Sequence, residues 1–126
     1  MRLLLDTHIL IWFLEGNNLL SQSRRQIITE PQNDILISIA SLWEIAVKIS
    51  VGKLTLANPL AAVIKQLTLE NIEILPIAPE HILQVAALPF HHRDPFDRAI
   101  IAQAQVERLP VITDDGEFNN YAVKIL

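Results

Sequence analysis

Carboxylates stand where apolar runs of this chain break off. Asp6 ends RLLLD, Glu44 interrupts SLWEIAVK, Asp97 lies near the start of DPFDRAIIAQA, and Asp114 and Asp115 follow VIT. Two like charges about 4 Å apart repel by roughly 4 kcal/mol at an effective dielectric near 20, so such acids can gather only around protons or cations. The chain has no cysteine, so soft thiolate ligation and a thiol nucleophile are excluded. All-oxygen ligation suits a hard divalent ion, magnesium or manganese. An ion of that kind can generate hydroxide, orient a phosphate and stabilise the charge of its displacement, which points to phosphodiester hydrolysis.

The most charged stretch is His91–Ala104, HHRDPFDRAIIAQA, at the mouth of an otherwise apolar helix. Asp94 before Pro95 reads as an N-cap with proline at the first helical position, which places Asp97 at the reciprocal position of a capping box. Helical periodicity also puts Asp97 on the stripe of Ile101 and Ala104, looking inward, where a lone charge is costly and asks for compensation. Arg93 and Arg98 are candidates for a nucleic-acid backbone, with a surface or ion-pair role equally open for Arg98. His91 and His92 are adjacent, do not share a helix face, and read as solvated linker residues more readily than as ligands. Ser41, Glu44 and Lys48 fall at i, i+3 and i+7, a single polar stripe on a greasy helix; the plain alternative is an exposed Glu44–Lys48 pair worth a few tenths of a kcal/mol.

The elements that must position these groups alternate. Arg2–Asp6 reads as a buried strand and Thr7–Leu14 as a helix closed by Gly16; Ser21 caps a second helix to about Thr29. Ile35–Ile37 reads as a strand, and Ser38 caps a helix to about Val51 that Gly52 closes and that should be buried nearly all round. Asn58 and Pro59 open a helix ending at Asn71, Ile72–Leu75 gives a third strand, and Pro79 opens a helix ending before Pro89. After the charged helix come a strand at Leu109–Thr113, a small turn packed by Phe118 and Tyr121, and an edge strand at Val123–Leu126. Such alternation predicts an α/β fold, a three-layer sandwich with a mostly parallel central sheet and ligands at the carboxyl ends of its strands. Asp6 and Asp115 end strands and Glu44 and Asp97 lie in early helical turns, so all four can converge on one edge.

Composition bounds the rest. With 126 residues, 51% hydrophobic and 19% charged, the chain is expected to form a single domain, residues 1–126, with elements buried on more than one side. Absence of cysteine fits a reducing, cytoplasmic setting, and no stretch approaches the roughly 20 apolar residues of a membrane span. A net charge of −4 argues against broad electrostatic coating of nucleic acid and for focused contact. The greasy segment Trp12, Phe13, Leu14 exceeds what a small domain usually needs and suggests a protein partner. Trp12 and Trp43 read as core or partner-facing residues and are not assigned to RNA.

Taken together, LLLDTHILIW, SLWEIAVK, HRDPFDRAIIAQA and VITDD with Phe118 resemble the PIN domain over nearly the whole chain. The similarity is greatest to the toxin ribonucleases of bacterial VapBC toxin–antitoxin pairs, particularly the branch carrying DPFDR. This resemblance implies cleavage of single-stranded or structured RNA, dependence on magnesium or manganese, and a cognate antitoxin partner. A homodimer is a further expectation. It also implies that the metal-binding acids are Asp6, Glu44, Asp97 and Asp115. In the family the fourth acid follows a strand and a threonine, here Thr113, with one residue between; this selects Asp115, with Asp114 the other register. Thr7 would support the first acid. Two other classes remain open: a magnesium-binding phospho-receiver domain, whose paired first acids and late lysine are missing here, and a PIN-like binding module without catalysis.

Overall fold

The computed structural model describes all 126 residues. Strand β1 (Arg2–Leu5) is the centre of a four-stranded, wholly parallel sheet in the order β3-β2-β1-β4, where β2 is Asp34–Ser38, β3 is Ile72–Leu75 and β4 is Val111–Ile112. Leu3, Leu4 and Leu5 are all fully buried, which is why β1 reads as an unbroken apolar run rather than an alternation. Leu3 and Leu5 face one core with Ile9, Leu10, Ile28, Leu42 and Leu67; Leu4 faces the other with Ile100, Ile101 and Phe118. Helices α1 (Thr7–Glu15), α2 (Gln22–Thr29), α3 (Ile39–Ser50) and α4 (Leu60–Leu69) supply the first layer, and α5 (Pro79–Ala87) with α6 (Pro95–Glu107) the second. The architecture is the three-layer α/β sandwich expected.

Local chemistry sets the boundaries. Ser21 accepts from Arg24 N, Ser38 from Ala40 N, and Asp94 from Phe96 N and Asp97 N, each satisfying an otherwise orphaned helix N–H. Gly16 ends α1 at φ 64°, donating its N–H to Phe13 O, a left-handed position where any side chain would be strained.

Three expectations need correction. Val123–Leu126 forms no strand: Ile125 makes only an isolated parallel bridge with Val111, closed by Val111 N to Lys124 O and Leu126 N to Val111 O, because β4 is only two residues long. Helix α3 is not buried all round. Its polar stripe and Ile45 turn inward, toward α1, β2 and α6, whereas Trp43 is 61% exposed and Val47, Ile49 and the following Val51 are also open to solvent. Trp12, Phe13 and Leu14 are only partly exposed and pack against the first core, so the excess apolar surface lies elsewhere, on α3 and around Ile82, Leu83 and Phe90.

Candidate active site

Parallel strands deliver their carboxyl ends to one edge, and β1 and β4 bring Asp6 and Thr113 there side by side. Asp6 is the N-cap of α1: Oδ1 accepts from Thr7 N at 2.6 Å and Oδ2 from the Thr113 hydroxyl at 2.8 Å. Thr113 Oγ1 in turn accepts from Asp115 N at 3.0 Å. On the other side, Thr7 Oγ1 lies 2.7 Å from Glu44 Oε1 and 2.8 Å from Ser41 Oγ. One hydroxyl has one proton, which goes to the carboxylate, so Ser41 acts as donor to Thr7. Glu44 Oε2 takes a bond from Lys48 Nζ at 2.6 Å. The exposed surface pair is therefore only half right: the pair forms, but Glu44 is 2% exposed.

Asp97 enters from the first turn of α6, looking inward as the periodicity predicts, and makes no reciprocal capping bond to Asp94. Its Oδ2 is 2.7 Å from His92 Nε2, and the same nitrogen is 3.9 Å from Asp115 Oδ2. Ligand atoms of His92, Asp97 and Asp115 lie within 4.8 Å of one another, the tightest grouping of possible metal ligands in the chain. Asp6 and Glu44 stand outside it, joined to it through Thr113 and Thr7. The doubled aspartate separates cleanly: Asp115 faces the His92–Asp97 pair, and Asp114 is held on the outside by Arg24 at 3.0 Å.

Burial makes Asp6 and Asp97 reluctant to ionise. Desolvation raises the pKa of Asp6 despite its two hydrogen bonds. The same cause, with the charges of Asp6, Asp94 and Glu44, pushes Asp97 up to about 7 against the opposing hydrogen bond from His92. Burial works against charging His92, but its hydrogen bond to Asp97 and the surrounding carboxylates prevail, and its pKa is raised. Lys48 is raised chiefly by its bond to Glu44. Lys48 and His92 are the cations bonded to this group of carboxylates, too few to neutralise Asp6, Glu44, Asp97 and Asp115 together. A hard divalent ion fits this donor set: the acids offer oxygen, and its charge would remove the penalty that now favours protons on Asp6 and Asp97.

Two residues take other roles than expected. Arg98 is buried and donates to Val85 O at 3.0 Å and Pro89 O at 3.2 Å, with His92 O and Tyr121 Oη at 3.4 and 3.5 Å, while its guanidinium covers the Phe90 ring. It clamps the loop before α6 and has no free face for RNA. His92, read as a solvated linker, is mostly buried against Asp97. Backbone N–H groups of His91 and His92 donate to Tyr121 Oη at 3.1 and 2.8 Å, so its position depends on residues far along the chain and no local signal marks it. Arg93 remains exposed at the same loop.

Residues 3–124 match the family model described as the PIN domain. The chain belongs to the PIN domain family. Solved structures similar to this PIN domain include VapBC2 from Rickettsia felis bound to a promoter DNA fragment (TM-score 0.75, 17% identity, covering 100% of this chain and 98% of that one). DNA-bound VapBC from Salmonella typhimurium gives TM-score 0.71 at 20% identity, covering 100% and 97%. A toxin–antitoxin complex from Klebsiella pneumoniae gives 0.65 at 22%, covering 98% and 95%. No curated protein matches significantly. The receiver alternative fails on topology as well, because that fold flanks β1 with β2 and β3, whereas here β1 lies between β2 and β4.

Proposed function

We propose that this PIN domain is a divalent-metal-dependent endoribonuclease, the toxin of a toxin–antitoxin pair, acting in the cytoplasm. The observation that carries this reading is the line of carboxylates bridged by Thr7 and Thr113 at the carboxyl edge of the sheet, undersupplied with protein cations. Asp6, Glu44, Asp97 and Asp115 would hold magnesium or manganese. What a bound ion supplies there is orientation of the phosphate, a more acidic water and neutralisation of developing charge. Thr7 and Ser41 fix the Glu44 carboxylate, Thr113 fixes Asp6 and the Asp115 backbone, and Lys48 holds the outer oxygen of Glu44. His92 Nε2 and Asp97 Oδ2 lie 2.7 Å apart and share one proton between them. Among the solved structures named above, that from Klebsiella pneumoniae is a toxin–antitoxin complex and the other two are VapBC assemblies on DNA, which supports a cognate antitoxin here. A homodimer belongs to the same proposal.

The test is cleavage of defined single-stranded and structured RNAs with magnesium or manganese. Activity should vanish with EDTA, return with either ion, and be lost in Glu44→Gln with the fold intact. Cleavage indifferent to chelation would refute the metal reading; a folded protein that binds RNA but never cuts it would favour the inert binding module.

A further inference from the structure

Beside the acids is a hollow of about 260 Å³ lined by Asp6, His8, Trp12, Asp114 and Asp115. Its size is just below the range typical of drug-sized ligand sites, which suits one flat ring and little more. The walls are particular. His8 and Trp12 are four residues apart on α1, so they share the face that runs outward from Asp6, with ring centroids 6.2 Å apart and planes tilted by 52°. Trp12 packs its inner side on the core and keeps its remaining surface in the hollow, while His8 is exposed. Opposite, Asp114 is pinned by Arg24 through Oδ1, and its other oxygen has no partner. The larger hollow of the molecule, about 670 Å³ beside the loop after α3, contains none of the acids.

Resting on the nuclease reading, we infer that Trp12 and His8 form a stacking subsite for one unpaired RNA base next to the acids, with Asp114 as an acceptor at its rim. Aromatic faces bind any base, and single-stranded chains are commonly held in this way. Carboxylate oxygens accept and never donate, so a base edge carrying an amino group fits the rim and one carrying a carbonyl meets a like dipole. The subsite would help a protein of net charge −4 keep a polyanion in register, because the base supplies a hold that does not depend on the phosphate backbone.

The experiment uses the full chain as the double variant Glu44→Gln, Trp43→Phe, which should not cut RNA and leaves Trp12 as the single indole, in magnesium. Short cytidine, uridine and abasic oligoribonucleotides of equal length are titrated while Trp12 fluorescence is read. Cytidine oligomers should quench Trp12 and bind best, uridine oligomers less well, and abasic ones should neither quench nor bind above background. Adding His8→Ala or Trp12→Leu should weaken the cytidine oligomer by about tenfold, the order expected for losing one stacked base, and leave the abasic one unchanged. His8 is exposed, so its variant serves even where Trp12→Leu disturbs packing. Equal binding of all three oligomers, or parental binding by His8→Ala, overturns the subsite; uridine binding as tightly as cytidine overturns the role of Asp114. If Glu44→Gln cuts RNA like the parent, the assignment of the acids fails instead, and the fluorescence titration still decides the subsite.

Discussion

Asp94 and Asp97 are three residues apart and answer to different forces. Asp94 Oδ1 accepts from Phe96 N at 2.8 Å and Asp97 N at 3.1 Å, so Asp94→Ala should lose about 0.5 to 2 kcal/mol, the usual penalty for an N-cap, and keep most cleavage per folded molecule. Asp97→Asn should show the opposite: it retains shape and an acceptor but removes a charge the site barely tolerates, so the melting point without metal holds or rises while cleavage collapses. Thermal midpoints in EDTA and RNA cleavage in magnesium, measured on both variants, decide; a folded but dead Asp94→Ala beside an active Asp97→Asn would exchange their roles. Proton linkage gives a second expectation. The pKa of Asp97 is raised from its ordinary value to about 7, so between those values the native state binds more protons than the unfolded state and stability falls as pH rises. His92, also raised, contributes stability present below its unfolded pKa and lost as pH climbs through the folded one, which has the same sign. The metal-free melting point should therefore decline from about pH 5 to about pH 8, and Asp97→Asn should flatten that decline. A metal-free midpoint that rises across this range would contradict the burial argument.

At the scale of elements, what was legible in the sequence was what local chemistry dictates. Unbroken apolar runs marked β1 and β2, and an apolar stretch interrupted by Glu73 marked β3; Ser21, Ser38 and Asp94 marked helix starts; Gly16 marked an end. Asp6 and Glu44 stood out because each ends or interrupts an apolar run, Asp97 because helical periodicity turns it inward, and Asp115 because the family resemblance selects it over Asp114; the sheet and the helices α3 and α6 bring these positions to one edge. What was not legible depends on contacts between distant segments. Nothing around His92 says that Tyr121 Oη fixes its backbone, and nothing in HRDPFDR says that Arg98 is swallowed by the loop it follows. Helix α3 looks buried all round in sequence because its outer apolar residues carry the same pattern as its inner ones. The Arg98 clamp can be tested directly. Arg98→Met keeps the stem but leaves Pro89 O without its donor and Val85 O with only the 3.3 Å bond from Leu88 N, at a cost of about 1 to 3 kcal/mol. It should also loosen the loop that seats His92, so urea denaturation should show the loss and the His92 ring resonances should move. Unchanged stability would mean that solvent replaces the guanidinium and that the clamp is incidental.

For the whole molecule, two surface properties pull in opposite directions. Net charge is −4, which favours solubility, yet Trp43, Leu83 and Phe90 leave large apolar side chains open on α3 and near α5. Exposed side chains of this size suit a protein partner, and the acids at the sheet edge add self-repulsion that protons or bound cations relieve. A protein partner would address the first strain and metal the second, and both act by mass action on the folded state alone. Expressed from its native operon with the proposed antitoxin, the chain should co-purify as a complex that melts higher than the free chain, by an amount that grows with partner concentration. That complex should not cut RNA, and stripping the partner under denaturing conditions followed by refolding should restore cleavage. A silencing partner has two physical routes, covering the mouth of the site or placing an arginine fork on its carboxylates, and magnesium distinguishes them. Arginine on Asp97 or Asp115 competes with the ion, so added magnesium should weaken the complex; a partner that only covers the mouth should be indifferent to it. Binding measured by calorimetry across a magnesium series separates the two, and a neighbouring protein that neither binds nor silences the chain at any magnesium concentration would remove the antitoxin from the account while leaving the nuclease standing.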